Sequence, residues 1–228
     1  MTRGIDRINV VVPAHDEAVL LGRCLTHVRA AVDALGPQGP DVRVVVVLDA
    51  CGDSSAAVAA RAGVTVVECA ARNVGVARAV GVEAAGAGAD PAATWLATTD
   101  ADSVVPRGWL LDHLAASLAH DVLVGGVRPD PADLPDEVLG AWLAAHTRVG
   151  HHVHGANLGV RLSAYRAVGG FRPIPTGEDV ALVADLRSLG VAVAGGGHPV
   201  VTSGRVQGRA PDGFAGYLRT LVAAREPA

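Results

Sequence analysis

The sequence predicts an α/β fold, a mainly parallel twisted sheet with helices on both faces. Three observations carry this expectation. Short Val-rich runs alternate with longer stretches rich in Ala, Leu and Arg. Val10–Val12 and Val44–Val47 set strong β-formers side by side, which suits strands covered from both sides. Gly36-Pro37 and Gly86/Gly88 stand where a first long helix and a later Ala-rich helix must stop.

Taken in order, residues 8–13 read as a strand, 17–35 as a helix and 42–48 as a second strand. A short helix over 54–62, a strand over 64–67 and an Ala-rich helix over 74–87 follow. Residues 94–100 are the fourth strand, and a helix runs from Pro106 to about His120. This βαβαβαβ order implies parallel strands joined by crossover helices. Residues 122–127 read as a strand turning toward a different pairing, 128–135 as a Pro-rich loop and 136–149 as a helix. A helix over 179–189 and a tail helix from Gly213 to Ala224 complete the reading. In the tail helix, Phe214, Tyr217, Leu218 and Leu221 form a packing stripe at helical spacing. No long linker or internal repeat divides the chain, so one domain over 1–228 is expected.

Composition removes several chemistries. The 228 residues include 42 Ala and 37 Val but only 3% aromatics, so small aliphatics must build the core. All 19 basic residues are Arg. Without Lys there is no Lys nucleophile, no Schiff base and no P-loop lysine. A net charge of −4 argues against a nucleic-acid surface, which carries a basic excess. Cys24, Cys51 and Cys69 are odd in number and lack metal-ligand spacing. The N-terminal stretch carries charge among its apolar residues, and no apolar run approaches the roughly 20 residues of a transmembrane helix. A reduced, cytoplasmic setting is expected, with no transmembrane segment.

The informative residues lie at the strand ends, where open α/β sheets bind ligands. The first strand exits into Pro13-Ala14-His15-Asp16-Glu17, the second into Asp49-Ala50-Cys51-Gly52-Asp53, and the fourth into Asp100-Ala101-Asp102. Carboxylates gathered on one edge repel unless a cation or hydrogen-bond donors offset them. Asp16 and Asp53 read equally well as helix N-caps. A D-x-D at a strand end more often holds a hard divalent ion. A dinucleotide-binding fold is excluded, because no G-x-G-x-x-G follows the first strand.

Six segments, in order over roughly residues 8–190, resemble a family 2 glycosyltransferase of the GT-A fold. These are V-V-V-P-A-H-D-E (10–17), L-D-A-C-G-D-S-S (48–55), R-N-V-G-V-A-R-A-V-G (72–81), T-D-A-D-S (99–103), G-A-N-L-G-V-R-L-S-A-Y-R-A-V-G-G-F (155–171) and G-E-D-V-A-L (177–182). Asp16 stands where the family usually has Asn, and Leu48 where it has the leading Asp of a pair.

The resemblance implies a nucleotide-binding part over about 8–105 and an acceptor-binding part over about 106–228. In it, Pro13, Ala14 and Glu17 floor the nucleotide base, Asp49 contacts base or ribose, and Asp53 and Ala101 belong to the same nucleotide-sugar site. Asn73, Gly75 and Arg78 open a helix near the diphosphate, where amides and Arg suit an anion. Asn73 reads alternatively as a plain N-cap. Asp102 binds Mn²⁺ or Mg²⁺, Asp100 the ribose or a metal-bound water, and a late His, at His198, is a candidate further ligand. Asp179 is the implied catalytic base of an inverting transfer, and Glu178 shares the role or positions the acceptor. The alternative for the pair is a helix start favoured by the dipole. The donor is a UDP- or GDP-type sugar and the acceptor an unspecified hydroxyl. A single hexosyl transfer is expected, since the chain lacks the Q-x-x-R-W motif and transmembrane helices of processive synthases.

Other features keep two readings. His151, His152 and His154 either line an acceptor pocket or bind a metal; His198 is otherwise a histidine at a strand start. Arg205 and Arg209 lie in a Gly-rich loop that either closes over the diphosphate or is solvated. Competing functions are a sugar-phosphate nucleotidyltransferase, which normally has a Gly-rich basic loop after its first strand, and a degenerate fold that only binds a sugar nucleotide.

Overall fold

The computed structural model describes residues 4–146, 152–205 and 214–223. The first half runs β1 (Arg7–Ala14), α1 (Leu21–Asp33), β2 (Asp41–Asp49), α2 (Ser55–Arg61), β3 (Thr65–Cys69), α3 (Val74–Gly86) and β4 (Thr94–Thr98). The second half runs β5 (Ser103–Val104), α4 (Trp109–Ser117), β6 (Val122–Val124), β7 (Val127–Pro129), α5 (Asp136–Ala145), β8 (Leu158–Arg161), α6 (Leu162–Ala167), α7 (Glu178–Ser188), β9 (Val193–Gly195), β10 (Val200–Thr202) and α8 (Phe214–Ala223).

The main sheet has seven strands in the order β3-β2-β1-β4-β8-β6-β9. From β3 to β4 neighbours are parallel; β8 is antiparallel to both β4 and β6, and β9 is parallel to β6. A small second sheet, β5-β10-β7, lies beyond the end of β4. The Val runs explain the two-sided burial. Ile8, Val10 and Val12 of β1, Val46 of β2 and Trp95 of β4 enter one core with Leu21, Leu25 and Val28 of α1. Val11, Val45, Val47 and Leu96 enter the opposite core with Ala77 and Val82 of α3 and Leu182 and Leu186 of α7. Alternation still operates, but both faces are apolar, so the sequence shows only continuous runs.

The strand order places the site. After β1 the chain moves outward through β2 and β3, then returns to pair β4 on the other side of β1. That reversal opens a crevice beyond the carboxyl ends of β1 and β4. Several boundaries differ from the sequence reading, each for a local reason. The first helix starts at Leu21 instead of Glu17. Asp16 has a left-handed φ of 52°, and the Glu17 amide is held by Ser55 Oγ at 2.9 Å, so the chain turns before it coils. The fourth strand ends at Thr98, and residues 122–127 split at Gly125-Gly126 into β6 and β7, which join different sheets. The expected loop over 128–135 contains the end of β7 and a 3₁₀ turn, Pro131–Asp133. Residues 147–149 of the expected helix over 136–149 lie outside the described residues, as does Gly213.

Behind the crevice His113 is fully buried against Trp95 and Trp109. Trp95 Nε1 donates to His113 Nδ1 at 2.9 Å. Burial pushes the imidazole down to about 4, only partly offset by Asp112 and Asn157. A folded-state value below the unfolded 6.5 means that His113 binds its proton more readily when unfolded. Its contribution is therefore complete above about pH 6.5 and is lost as pH falls toward 4. A His113→Leu variant should show a shallower fall in thermal midpoint than the parent between pH 6.5 and 4. Parallel profiles would reject a buried neutral histidine. A Cβ on Gly159 would collide with His113 Nδ1 and lie 2.7 Å from Trp95 Nε1. Gly159→Ala is expected to lose about 1–3 kcal/mol by overpacking, read as a lower urea midpoint at unchanged slope.

Candidate active site

A cavity of about 1020 Å³ opens in the crevice. Residues from both halves line it, from Pro13, Asp49 and Asp100 at the strand ends to Asp179 on α7 and Phe214 on α8. A second hollow, of about 460 Å³, lies near the other strand ends beside Asp6 and Asp41, away from the acidic turns.

Backbone amides hold three of the carboxylates. Asp16 Oδ1 accepts from Gly52 N at 2.6 Å and Asp53 N at 3.3 Å. Asp53 returns the link, accepting from Ala18 N at 2.8 Å and Ser55 N at 2.9 Å. The turns after β1 and β2 are thus stapled together, which accounts for the close approach of Asp16, Cys51 and Asp53. Asp49 accepts from the amides of Ala71, Arg72 and Asn73 at 2.7–2.8 Å. Burial raises its carboxyl, but these amide donors outweigh burial and hold it below the usual carboxylate range. Asn73 then caps α3, its Oδ1 accepting from Val76 N at 3.0 Å, while its Nδ2 donates to the Ile174 carbonyl at 2.9 Å.

Guanidinium groups hold the others. Arg78, 3% exposed, donates from Nη2 to Asp100 Oδ1 at 2.5 Å and from Nη1 to Glu178 Oε1. Its guanidinium lies 5.8 Å from the centre of the Phe171 ring. Arg205, just after β10, donates to both oxygens of Glu17, at 2.5 and 3.1 Å. The same Nη2 lies 2.9 Å from Asp102 Oδ2. Asp102 Oδ1 accepts from Thr202 Oγ1 at 3.1 Å. Burial, reinforced by the charge on Asp100 and opposed by Arg205, pushes the Asp102 carboxyl up to about 6.

On the α7 side of the cavity, Asp179 sits in the first turn of the helix. Its Oδ2 accepts from Gly155 N at 2.5 Å and its Oδ1 from Val180 N at 2.8 Å. Gly155 itself packs on Arg78, where any Cβ would strike the guanidinium. Beside them His146 stacks on Trp142 with centroids 4.2 Å apart, and His152 and His154 continue the wall toward Phe214. Burial lowers the basicity of His154, with Asp179 acting in the opposite sense.

The structure therefore brings Pro13, Ala14, Glu17, Asp49, Asn73, Arg78, Asp100, Ala101, Asp102, Glu178 and Asp179 to one cavity. Asp53, Gly75 and His198 do not line it. Asp53 is consumed by the staple between turns. Gly75 is a packing position, where a Cβ would strike the Arg172 carbonyl and lie 3.2 Å from Glu178. His198, read either as a further metal ligand or as a satisfied histidine at a strand start, pairs its Nδ1 with Asp112 Oδ2 on α4 at 2.7 Å, as the second reading has it. Arg78, expected at a diphosphate, is held by two carboxylates, and Glu178 is held by Arg78. His152 and His154 line the cavity, whereas His151 and Arg209 lie outside the described residues. Sequence reasoning missed Arg72, held with φ 48° at the rim, and Thr202, the neutral partner of Asp102. Arg72 stands at the edge of one of the six segments and Thr202 in none, and each is fixed by its neighbours in space.

Among solved structures, the chain is similar to S. aureus TarS residues 1–349 in complex with UDP-GlcNAc, with TM-score 0.67 at 14% identity over 96% of this chain and 66% of that one. It is also similar to the mannosyltransferase PcManGT from Pyrobaculum calidifontis in complex with GDP-Man and Mn²⁺, with TM-score 0.63 at 18% identity over 98% and 66%. A third is glucosyl-3-phosphoglycerate synthase from Mycobacterium tuberculosis with Mn²⁺, UDP and glucosyl-3-phosphoglycerate, with TM-score 0.60 at 17% identity over 96% and 78%. The chain thus spans about two thirds of the length of the first two. These likenesses fix the GT-A fold. No curated protein matches the chain. The profile of the family described as Glycosyl transferase family 2 matches residues 9–153, more than half of the sequence, and with six motif segments in order the chain belongs to that family.

Proposed function

We propose that this protein is a non-processive, inverting glycosyltransferase that moves one hexosyl unit from a UDP- or GDP-sugar to an acceptor hydroxyl with the help of a divalent ion. The observation that carries the reading is the shared cavity: the D-x-D turn, Asp100–Asp102, and the carboxylate of Asp179 face the same space. Complexes of the similar structures with UDP-GlcNAc, with GDP-Man and Mn²⁺, and with UDP and Mn²⁺ support the donor class and the ion.

The chain's own residues suggest a division of work. Pro13 and Ala14 supply an apolar floor for a nucleotide base, with the amide-locked Asp49 at its edge. Asp102, aided by Asp100, would hold Mn²⁺ or Mg²⁺. The donor set suits a hard cation, being oxygen-only, and a cationic guanidinium already lies against it. Such an ion, when bound, offsets the negative charge that grows on a departing diphosphate. Asp179 takes the proton of the acceptor hydroxyl while that oxygen attacks the anomeric carbon. The bond from that carbon to the diphosphate breaks on the opposite face. The Gly155 amide orients the base, and the wall of His146, His152, His154 and Tyr217 shapes the acceptor's approach. Glu178, tied to Arg78, positions the base instead of sharing its role. Cys24, Cys51 and Cys69 are free thiols, in keeping with a cytoplasmic setting. Among the described residues no helix is long and apolar enough to cross a membrane.

Two measurements test the reading. Calorimetric titration of UDP and GDP should show binding that strengthens when Mn²⁺ is present; metal-independent binding, or none, counts against the assigned site. Asp179→Asn should lower kcat by about 10²–10⁴-fold, the usual worth of a general base, with nucleotide affinity within a few-fold of the parent. Loss of both together would make Asp179 a binding or structural residue.

A further inference from the structure

The Arg205 guanidinium lies against the Asp102 carboxylate, which would hold the divalent ion. It donates twice to Glu17, which is 7% exposed, and reaches Asp102 Oδ2 at 2.9 Å. An ion bound directly to that oxygen sits about 2.0–2.6 Å from it. Guanidinium and ion repel in charge and compete for the same carboxylate, so each weakens the other's hold on it. Arg78 cannot stand in for Arg205 here, since its own guanidinium is held by Asp100 and Glu178 on the other side of the D-x-D turn. The supporting frame is built for the contact: Ser203 N donates to the Asp102 carbonyl at 3.2 Å, and Gly204 N to Asp133 Oδ2 at 2.8 Å. The segment carrying Arg205 is therefore anchored with its side chain over the acids.

We infer that Arg205 is a resident counter-cation that exchanges with the divalent ion: it holds the site closed to metal in the free protein and yields it when a nucleoside diphosphate arrives. The inference rests on the metal-dependent reading above. Arg pairs readily with phosphate oxygens in a two-pronged geometry, so a diphosphate beside Asp102 offers Arg205 a second anion. Its departure uncovers the carboxylate for the ion. Metal and nucleotide then bind cooperatively, because each removes what blocks the other. If the guanidinium covers the seat in nine molecules of ten, apparent metal affinity falls about tenfold.

The test is Mn²⁺ binding followed by electron paramagnetic resonance, without nucleotide, on the parent, Arg205→Gln and Arg205→Lys, each checked for folding by circular dichroism. Arg205→Gln should bind Mn²⁺ about tenfold tighter than the parent, and Arg205→Lys, which keeps the charge, should stay near it. Saturating UDP or GDP should shrink the gap between parent and Arg205→Gln. Equal or weaker binding by Arg205→Gln would overturn the exchange while leaving the metal site standing. No Mn²⁺ binding by any of the three proteins, with or without nucleotide, would overturn the exchange and the metal-dependent reading together. Should the variants not fold, the arginine side-chain NMR signals of the parent decide. A shift of the Arg205 guanidinium signal on addition of Mg²⁺ and UDP or GDP supports the exchange, and an unchanged signal overturns it.

Discussion

Carboxylates crowded into one partly buried crevice are the constraint around which this molecule is arranged. Glu17, Asp100, Asp102 and Glu178 meet near the carboxyl ends of β1 and β4, where each would repel the next if left alone. Two guanidiniums resolve the conflict, Arg78 between Asp100 and Glu178, and Arg205 between Glu17 and Asp102. The planar fork of Arg can bind two acids at once, whereas an ammonium presents a single point charge. A chain with 19 Arg and no Lys is suited to that task. Breaking a buried pair of this kind leaves an uncompensated charge, which costs far more than the pair contributes.

A second group of acids is held by backbone amides. Asp16, Asp49 and Asp53 spend their oxygens on backbone amides, and in doing so they set the shape of three turns. The distinction decides which carboxylates remain available to ligands. Asp16, Asp49 and Asp53 are scaffolding for the crevice, while the acids held by arginine can exchange partners without unravelling a turn.

The fold was largely legible because its signals are local. Consecutive valines in β1 and β2, stops at Gly36 and Gly86, and acids at strand ends all follow from neighbouring residues. The motif positions were legible as a set, and eleven of the named residues do line one cavity. What could not be read was who partners whom. Asp53 and Asp102 look alike in sequence, yet one caps a turn and the other faces Arg205 from 103 residues away. His198 looked like a ligand because of its late position, but α4 brings Asp112 to it first. Arg78, which the resemblance puts near a diphosphate, has partners in the turn after β4 and in α7 that no local pattern announces. Pairings across such separations depend on how elements pack, which local pattern does not encode.

Gly155 limits how this enzyme family member can diversify. Its missing side chain lets it lie flat on Arg78 while its amide orients Asp179. One position thus serves the ion-pair network and the Asp179 carboxylate together, and any larger residue would disturb both. Variation at the site is easier at the rim, where Thr176, Val180 and Tyr217 border the cavity. An engineer seeking a new acceptor would randomise that rim and leave the glycine alone.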